Sequence, residues 1–291
     1  MQDQTAQFER HRGKLHGIAY RMLASRADAE DIVQEAYLRW HRAPVGEVRS
    51  AEAWLVTTVT RLCIDRLRAA QAERMNYVGP WLPEPIVEDL APPADASTEL
   101  ASSLSVAFLA VLERLAPEER AAFLLHEVFE TEYTEIAQIL GKSEAACRQI
   151  VSRARRRVRE GRPRVQVSEV ARKAVLERFV NALMSRDKDA MVQLLAADAT
   201  WTSDGGGKAV AARKVIRGGE RVARFAIGVI GRHADRIELR HITVNGEAGL
   251  ALCGPQGVYA IVSVVTDGAR ILSVMCVLNP DKLGAVAAVP R

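Results

Sequence analysis

The spacing of hydrophobic residues changes along this chain, and the change restricts the folds that the chain can adopt. Over residues 8–75 and 101–160, apolar residues recur every three or four positions, which is typical of amphipathic helices. After residue 208 the chain reads mainly as β-rich runs, and Asn245-Gly246 and Asp267-Gly268 are two strong hairpin signals. The sequence therefore predicts a multidomain protein with two all-α domains followed by an α+β domain whose sheet is antiparallel.

Residues 76–100 separate the two helical segments and have a different composition. They contain several prolines and no helical period, so we predict a linker. Trp81, Leu82 and Ile86 within it should dock on a surface, because leaving them in water is unfavourable. The predicted domains are residues 1–75, the linker 76–100, residues 101–164 and residues 165–291.

Local signals indicate where several helices begin. Ser50 is a predicted N-cap, and the helix after it should bury Leu55, Val59 and Cys63. Pro117 is a predicted first residue of another helix, since proline is favoured at that position.

Tyr133–Val158, YTEIAQILGKSEAACRQIVSRARRRV, has the spacing of a helix-turn-helix. Gly141 supplies the predicted turn, and Ser143 caps the second helix. The inward-facing residues are expected to be Ile136, Ala137, Leu140, Cys147, Ile150, Val151 and Ala154. Those facing outward are Arg148, Gln149, Ser152, Arg153 and Arg156. The second helix of such a unit enters the major groove, so we interpret the outward set as base-reading; a solvated basic helix is the alternative.

Charge is distributed unevenly along the chain. Residues 142–164 contain nine bases and two acids, a net charge of +7 that suits a phosphate backbone. In contrast, Asp28, Asp31 and Glu35 have i, i+3 and i+7 spacing and form one acidic stripe. Asp28 as an N-cap and Asp31 as a first-turn acid would explain two of the three, but not Glu35. A partner protein and an ordinary solvated face both remain open for this stripe.

The remaining composition limits the compartment and the cofactors. Cys63, Cys147, Cys253 and Cys276 are far apart and lack ligand spacing, so we expect a reducing compartment and no metal. The N-terminus is polar, and nowhere do eighteen apolar residues follow one another. We therefore expect a cytoplasmic protein without a cofactor.

Two stretches resemble a known family. DAEDIVQEAYLRW with SAEAWLVTTVTRLCIDRLR resembles region 2 of extracytoplasmic-function sigma factors of the sigma-70 family, and residues 115–158 resemble their region 4. The resemblance implies that an acidic helix binds the β′ clamp helices of core RNA polymerase, with the β flap as a further contact. The polymerase-binding residues would be Asp28, Asp31, Gln34 and Glu35. The residues reading the minus-10 element would be Trp54, Thr57, Thr58, Thr60 and Arg61. Region 4 would read the minus-35 element through the outward set.

Three further motifs, WLPEP, DGGGK and NPDKL, resemble the SigJ type of these sigma factors, which carries a SnoaL-like domain of the NTF2 superfamily. This implies a cone-shaped α+β domain that regulates the sigma factor in cis by contacting the sigma domains. The regulatory residues would be Trp81, Leu82, Pro83, Asp204, Gly205, Lys208, Asn279, Pro280 and Asp281.

The sequence thus predicts a sigma factor for promoter-specific transcription initiation, and not an enzyme. Its expected partners are core RNA polymerase and promoter DNA, and a small ligand in the cone is a further hypothesis. Two alternatives stay open. One is a one-component regulator that binds operators as a dimer. The other is an SnoaL-like enzyme whose general base would be Asp204, Glu220, His241 or Asp281.

Overall fold

The computed structural model describes residues 2–44, 48–87, 105–161, 167–233, 237–284 and 286. These residues divide into two compact units. The N-terminal unit holds the chain up to Asn76 and resumes at Phe108. The C-terminal unit holds residues 77–87, 105–107 and everything described from Val167 onwards. Within the described residues, no helix has the length and apolar character needed to cross a membrane.

The first unit is helical, as the period predicted. Its elements are α1 Gln2–Leu23, α2 Arg26–Arg42, α3 Ala51–Met75, α4 Val106–Leu112, α5 Pro117–Glu127, α6 Tyr133–Leu140 and α7 Glu144–Gly161, with the start of α4 assigned to the other unit. Ser50 caps α3 by accepting from the Ala53 N–H, and Pro117 opens α5, which confirms both predictions. The alternative explanation of Asp28 as an N-cap is wrong. Ser25 caps α2 because its hydroxyl accepts from the Asp28 N–H at 3.3 Å, which leaves Asp28 inside the first turn.

The core of this unit includes apolar side chains from all seven of its helices. Trp40 is its largest fully buried apolar side chain, and Leu15, Ile18, Leu55 and Leu124 are also fully buried. In the helix-turn-helix, Gly141 takes the left-handed conformation that ends α6, as predicted. Other sequence-based details change: Ile139 is buried, whereas Ala137 and Leu140 are only half-buried. The cause is the short α6, in which positions 136 and 139 point most directly at the core.

The second unit is an α+β domain. Its elements are α8 Glu169–Met184, α9 Lys188–Leu194, β1 Leu195–Asp204, β2 Ile216–Arg217, α10 Gly219–His233, β3 Glu238–Val244, β4 Glu247–Gly254, β5 Gly257–Thr266, β6 Ile271–Val277 and α11 Pro280–Leu283. The strand order is β2-β1-β6-β5-β4-β3. The β3–β4 and β5–β6 hairpins confirm the two turn signals, and Asn245 and Gly246 both have positive φ. The sheet is not wholly antiparallel, however, because β1 pairs with β6 in parallel.

The linker residues 77–87 belong to this second unit and pack on its sheet. The Ile86 N–H donates to Asn245 Oδ1 at 2.9 Å, and the Asn245 N–H donates to the Ile86 carbonyl at 2.8 Å. Val87 forms a bridge with Val244 at the end of β3. Leu82 and Ile86 are buried, which confirms that these apolar residues dock rather than face water.

Candidate functional site

The acidic stripe lies mostly in solvent. Asp31 and Gln34 are exposed, and Glu35 is partly exposed while it accepts from Arg39 Nε at 2.8 Å within α2. Asp28 differs, because it pairs with Arg66 of α3 at 2.9 Å and its side chain is only 31 % exposed. This hydrogen bond raises the pKa of Arg66. The stripe therefore has an outward part available to a partner and an inward end that ties α2 to α3.

A groove of about 620 Å³ opens on the surface formed by the start of α3, residues 48–50 and α2. Its lining includes four of the five predicted minus-10 residues, with three arginines in total. The lining residues are Arg39, Val48, Arg49, Ser50, Ala53, Trp54, Thr57, Thr58 and Arg61. Aromatic, hydroxyl and guanidinium groups in one groove suit a base and its phosphates. Part of the predicted loop 44–50, residues 45–47, lies outside the described residues.

Thr60 does not belong to this groove. Its side chain is 0 % exposed, and it lies on the buried side of α3 between Val56 and Cys63. The reason is helical geometry: position 60 is four residues after Val56 and three before Cys63, so all three share the core-facing side. The structure therefore argues against a direct role of Thr60 at DNA.

Arg61 is engaged elsewhere within the same unit. Its guanidinium donates to the carbonyl oxygens of Ile139 at 2.9 Å and Gln138 at 3.0 Å, at the C-terminal end of α6. Carbonyl groups in the last turn of a helix lack intrahelical donors, so a cation satisfies them well. A residue predicted to read the minus-10 element is thus held by the helix-turn-helix in this conformation.

The predicted minus-35 residues all lie on the open face of α7. Arg148, Gln149, Ser152, Arg153 and Arg156 are exposed. The arginine run separates into two groups. Arg155 pairs with Glu127, and Arg157 pairs with Glu119, so both connect α7 to α5. Arg153 and Arg156 make no ion pair with any residue that the structure describes, and so their charge is available to phosphates.

Arg148 contacts two neighbouring side chains of the protein itself. It pairs with Glu144 at 2.8 Å, and its guanidinium carbon lies 5.1 Å from the ring centre of Tyr133. Tyr133 in turn stacks on His126, with ring centres 4.2 Å apart. Sequence reasoning did not identify Tyr133 as a contributor, although it opens the quoted motif.

The three remaining motifs meet around Asp204, the last residue of β1, which is 0 % exposed. Its carboxylate accepts from Tyr77 Oη at 2.5 Å, from the Leu82 N–H at 2.8 Å and from the Gly206 N–H at 3.1 Å. Lys282 Nζ donates to it at 2.7 Å. One buried carboxylate therefore joins WLPEP, DGGGK and NPDKL, and we call Tyr77, Leu82, Asp204, Asn279 and Lys282 the latch.

Lys282 is the cation of the latch, with its side chain only 11 % exposed. Its ammonium group also donates to the Leu82 carbonyl and lies 3.9 Å from the ring centre of Trp81. Burial and the hydrogen bond to Asp204 raise the pKa of the Tyr77 hydroxyl. A buried charge is tolerated only when it is paired and hydrogen-bonded, and here both conditions are met.

Asn279 is the remaining member of the latch, and its position explains why residue 206 is a glycine. Its Nδ2 donates to Tyr77 Oη at 3.0 Å, and its backbone N–H donates to the Asp204 carbonyl at 2.9 Å. Gly206 has φ +59°, and a Cβ there would lie 2.3 Å from Asn279 Nδ2. Only glycine combines that backbone angle with so close an approach.

The other predicted regulatory residues surround the latch. Pro83 is buried in the docked linker, and Gly205 is buried beside the Ala209 carbonyl. Pro280 opens α11, and Lys208 pairs with Asp281 at 2.6 Å on the surface. Tyr77 and Lys282 were not among the predicted residues. Lys282 could have been found, since it lies within NPDKL, but nothing around Tyr77 marks it.

The four carboxyl and imidazole groups weighed as general bases do not form a catalytic arrangement. Asp204 and Asp281 are each paired with a lysine. Glu220 and His241 are exposed on α10 and β3. Over the described part of the chain, no group of three or more His, Cys, Asp or Glu could hold a metal ion.

Comparison with known proteins identifies the family. The sigma-70 region 2 family model matches residues 7–73, and the sigma-70 region 4 model matches residues 105–158. The ECF RNA polymerase sigma factor SigJ of Mycobacterium tuberculosis is 38 % identical over 96 % of this chain and 93 % of its own length. The probable ECF RNA polymerase sigma factor SigI of that species is 34 % identical over 93 % of this chain and 88 % of its own.

A solved structure is similar over the same extent. The crystal structure of the extracytoplasmic function sigma factor SigJ of Mycobacterium tuberculosis superposes with a TM-score of 0.77 at 36 % identity, covering 97 % of this chain and 98 % of that one. The chain therefore belongs to the family of extracytoplasmic-function RNA polymerase sigma factors.

Proposed function

We propose that this protein binds core RNA polymerase and directs initiation at promoters with specific minus-10 and minus-35 elements, under control of its own C-terminal unit. The observation that carries the proposal is the division of exposed charge within one helical unit. Carboxylates lie in solvent on α2, while Arg153 and Arg156, which pair with no described residue, lie in solvent on α7. The two surfaces have opposite preferences, since the first repels DNA and the second attracts it. Acting on RNA polymerase, the protein would work in the cytoplasm.

The polymerase surface is assigned to Asp31, Gln34 and the outer side of Glu35, with Asp28 in a supporting role. Exposed carboxylates fit a basic or amide-rich surface of the β′ clamp helices. Asp28 contributes by fixing α2 against α3 through Arg66, because its side chain is already engaged. Charge reversal at Asp28 would therefore affect both folding and polymerase binding. Charge reversal at Asp31 and Glu35 would affect polymerase binding alone.

The decisive test is Asp31→Arg with Glu35→Arg in the full chain. We expect its affinity for core polymerase to fall at least tenfold, because like charges juxtaposed across an interface cost several kcal/mol. The matched control is Glu9→Arg with Glu132→Arg. It makes the same charge change and also breaks one surface ion pair, since Glu9 pairs with Arg12. Wild-type affinity in the first variant, or equal losses in both variants, would refute the assignment.

DNA recognition is divided between two elements of the N-terminal unit. We assign minus-10 contacts to Trp54, Thr57, Thr58 and Arg61, which share one groove. Minus-35 contacts are assigned to the open face of α7, where a bidentate arginine or glutamine contact contributes about 1–3 kcal/mol of discrimination. Arg61 must leave the Gln138 and Ile139 carbonyls before it can contact DNA, so promoter binding requires α3 and α6 to separate.

The latch is assigned the regulatory role. It holds linker residues 77–87, which connect region 2 to region 4 in sequence, on the sheet of the C-terminal unit. Opening the latch would lengthen the free connection between the two DNA-binding elements. We propose that regulation operates through this docking and that the C-terminal unit is not an enzyme, because its buried acid is neutralised by Lys282 rather than free to accept a proton. A small ligand in the cone stays a prediction.

A further inference from the structure

The C-terminal unit has an exposed basic surface outside regions 2 and 4. It consists of five side chains between β1 and the middle of α10, which we call the basic ridge: Arg213, Lys214, Arg217, Arg221 and Arg224. Five other bases of this unit have carboxylate partners: Arg172, Lys173, Lys208, Arg240 and Lys282. Arg178, Arg186, Lys188 and Arg270 have none among the described residues, but they are not clustered in one segment as the ridge is. The ridge side chains make no ion pair with any residue in the described ranges, so their charge is not used to hold the fold.

Arg217, Arg221 and Arg224 of the ridge lie on either side of a tight turn. Arg217 ends β2, opposite Thr200 of β1, and α10 begins two residues later. Gly218 has φ +97°, and a Cβ on Gly219 would lie 2.7 Å from the Ala196 carbonyl oxygen, so the turn requires both glycines. Arg221 and Arg224 then follow three residues apart on α10. Residues at that spacing share a helix face, with Cβ atoms about 5–6 Å apart.

The side of α10 that packs in the core is the one opposite the ridge. Val222, Ala223 and Ala226 are buried against the sheet. Asp198 and Glu220 are the exposed acids of residues 195–224, against the five bases of the ridge. The surface is positive and mainly polar, with Val215 as an exposed apolar side chain between Lys214 and Arg217. One apolar side chain among five bases does not suit an apolar helix or groove as a partner. The surface suits a repeating array of anions.

We infer that the basic ridge binds the phosphate backbone of duplex DNA without reading its sequence. Arginine is well matched to phosphate because its planar guanidinium can donate two parallel hydrogen bonds. Phosphate contacts supply affinity and orientation but no base information. The C-terminal unit would thus contribute to holding DNA as well as to regulation. This inference is independent of the latch, since no ridge side chain takes part in it.

The first test measures salt-dependent binding of the full chain to a fluorescent duplex of arbitrary sequence. All proteins carry Arg148→Gln, Arg153→Gln and Arg156→Gln, which removes the three candidate arginine contacts of α7 with DNA. The ridge variant adds Arg217→Gln, Arg221→Gln and Arg224→Gln. The matched control adds Lys173→Gln, Arg186→Gln and Lys188→Gln, which are exposed on α8, on α9 and between them.

Each phosphate contact contributes about 0.9 to the magnitude of the slope of log K against log salt concentration. In the ridge variant, which lacks three arginines, the magnitude of this slope should fall by about 2.7. The control should retain the slope. Equal losses in both variants would show an effect of net charge alone and overturn the inference. Retained DNA binding with weakened binding to core polymerase would point to an acidic protein surface instead, and would also overturn it.

The second test locates the contact directly. All four native cysteines are buried, so a cysteine placed at an exposed position can be labelled selectively with a photoreactive aryl azide. Arg224→Cys should cross-link to the duplex at low salt, and Lys188→Cys should not. Absence of a cross-link from position 224, or equal cross-linking from both positions, contradicts the assignment of DNA to the ridge.

Discussion

Replacing Asp204 by asparagine tests the latch while preserving the shape of the side chain. Four donors surround the carboxylate: Tyr77 Oη, the N–H groups of Leu82 and Gly206, and Lys282 Nζ. The new amide group would bring two further N–H bonds into a site that contains donors. It would also leave the ammonium of Lys282 without a counter-charge.

The magnitude follows from burial. Breaking a buried ion pair by removing one partner costs about 3–5 kcal/mol. The lower end applies here, because Lys282 keeps some contact with water and still faces the Trp81 ring. A loss of about 3 kcal/mol corresponds to roughly a 150-fold increase in the population of the open linker, since about 1.36 kcal/mol is a factor of ten.

Hydrogen exchange of the Leu82 amide is the most direct assay, because that N–H donates to the substituted carboxylate. In the full chain we expect its exchange to be about 100-fold faster in Asp204→Asn, and run-off transcription with core polymerase to change accordingly. The matched control is Asp281→Asn, which breaks only the exposed pair with Lys208 and should cost less than about 1 kcal/mol.

A second comparison separates loss of charge pairing from loss of packing. Asp204→Asn with Lys282→Met removes both charges, so part of the protection of Leu82 should return. If Leu82 exchange in Asp204→Asn equals that of the wild type, the carboxylate does not hold the linker and the reasoning fails. If exchange rises but transcription by full-length protein is unaffected, the latch has no regulatory role.

Two further substitutions test the geometry. Gly206→Ala should lower the free energy of unfolding of the C-terminal unit by about 2 kcal/mol or more, because it combines positive φ with a clash at Asn279. An unchanged denaturation midpoint would show that the turn can relax. Arg61→Ala should destabilise the N-terminal unit by about 1–2 kcal/mol through loss of two charge-assisted hydrogen bonds, measured by urea unfolding, and a midpoint equal to that of the wild type would exclude this role.

Local signals predicted a large part of the fold. The Ser50 cap, Pro117 at the start of α5, the turn at Gly141 and the two hairpin turns depend on the conformational preferences of one or two residues, so they can be identified without knowing the neighbours. The outward set of the helix-turn-helix followed from helical period and is exposed throughout. The same period placed Asp31 and Glu35 on the outer side of α2, whereas Asp28 pairs with Arg66 of α3.

Other elements were missed because their local signals are weak. β1 contains three alanines and two aspartates, which have low strand propensity, and it is stabilised by a parallel pairing with β6 that lies about seventy residues away in sequence. α10 contains Gly228 and Gly231, which reduce helix propensity, yet its apolar face packs on the sheet. In both cases tertiary packing overrides the intrinsic preference.

Residue types and their spacing were enough to identify an acidic helix, a basic helix and three separate motifs in this protein. They could not establish which side chains meet. Lys282 reaches the Leu82 carbonyl across 200 positions, and Tyr77 reaches Asp204 across 127. Burying a charge is favourable only when a partner arrives from elsewhere in the chain. Such pairings therefore depend on the folded core and not on the local sequence pattern. The same holds for the burial of Thr60 and for the hydrogen bonds of Arg61 to α6.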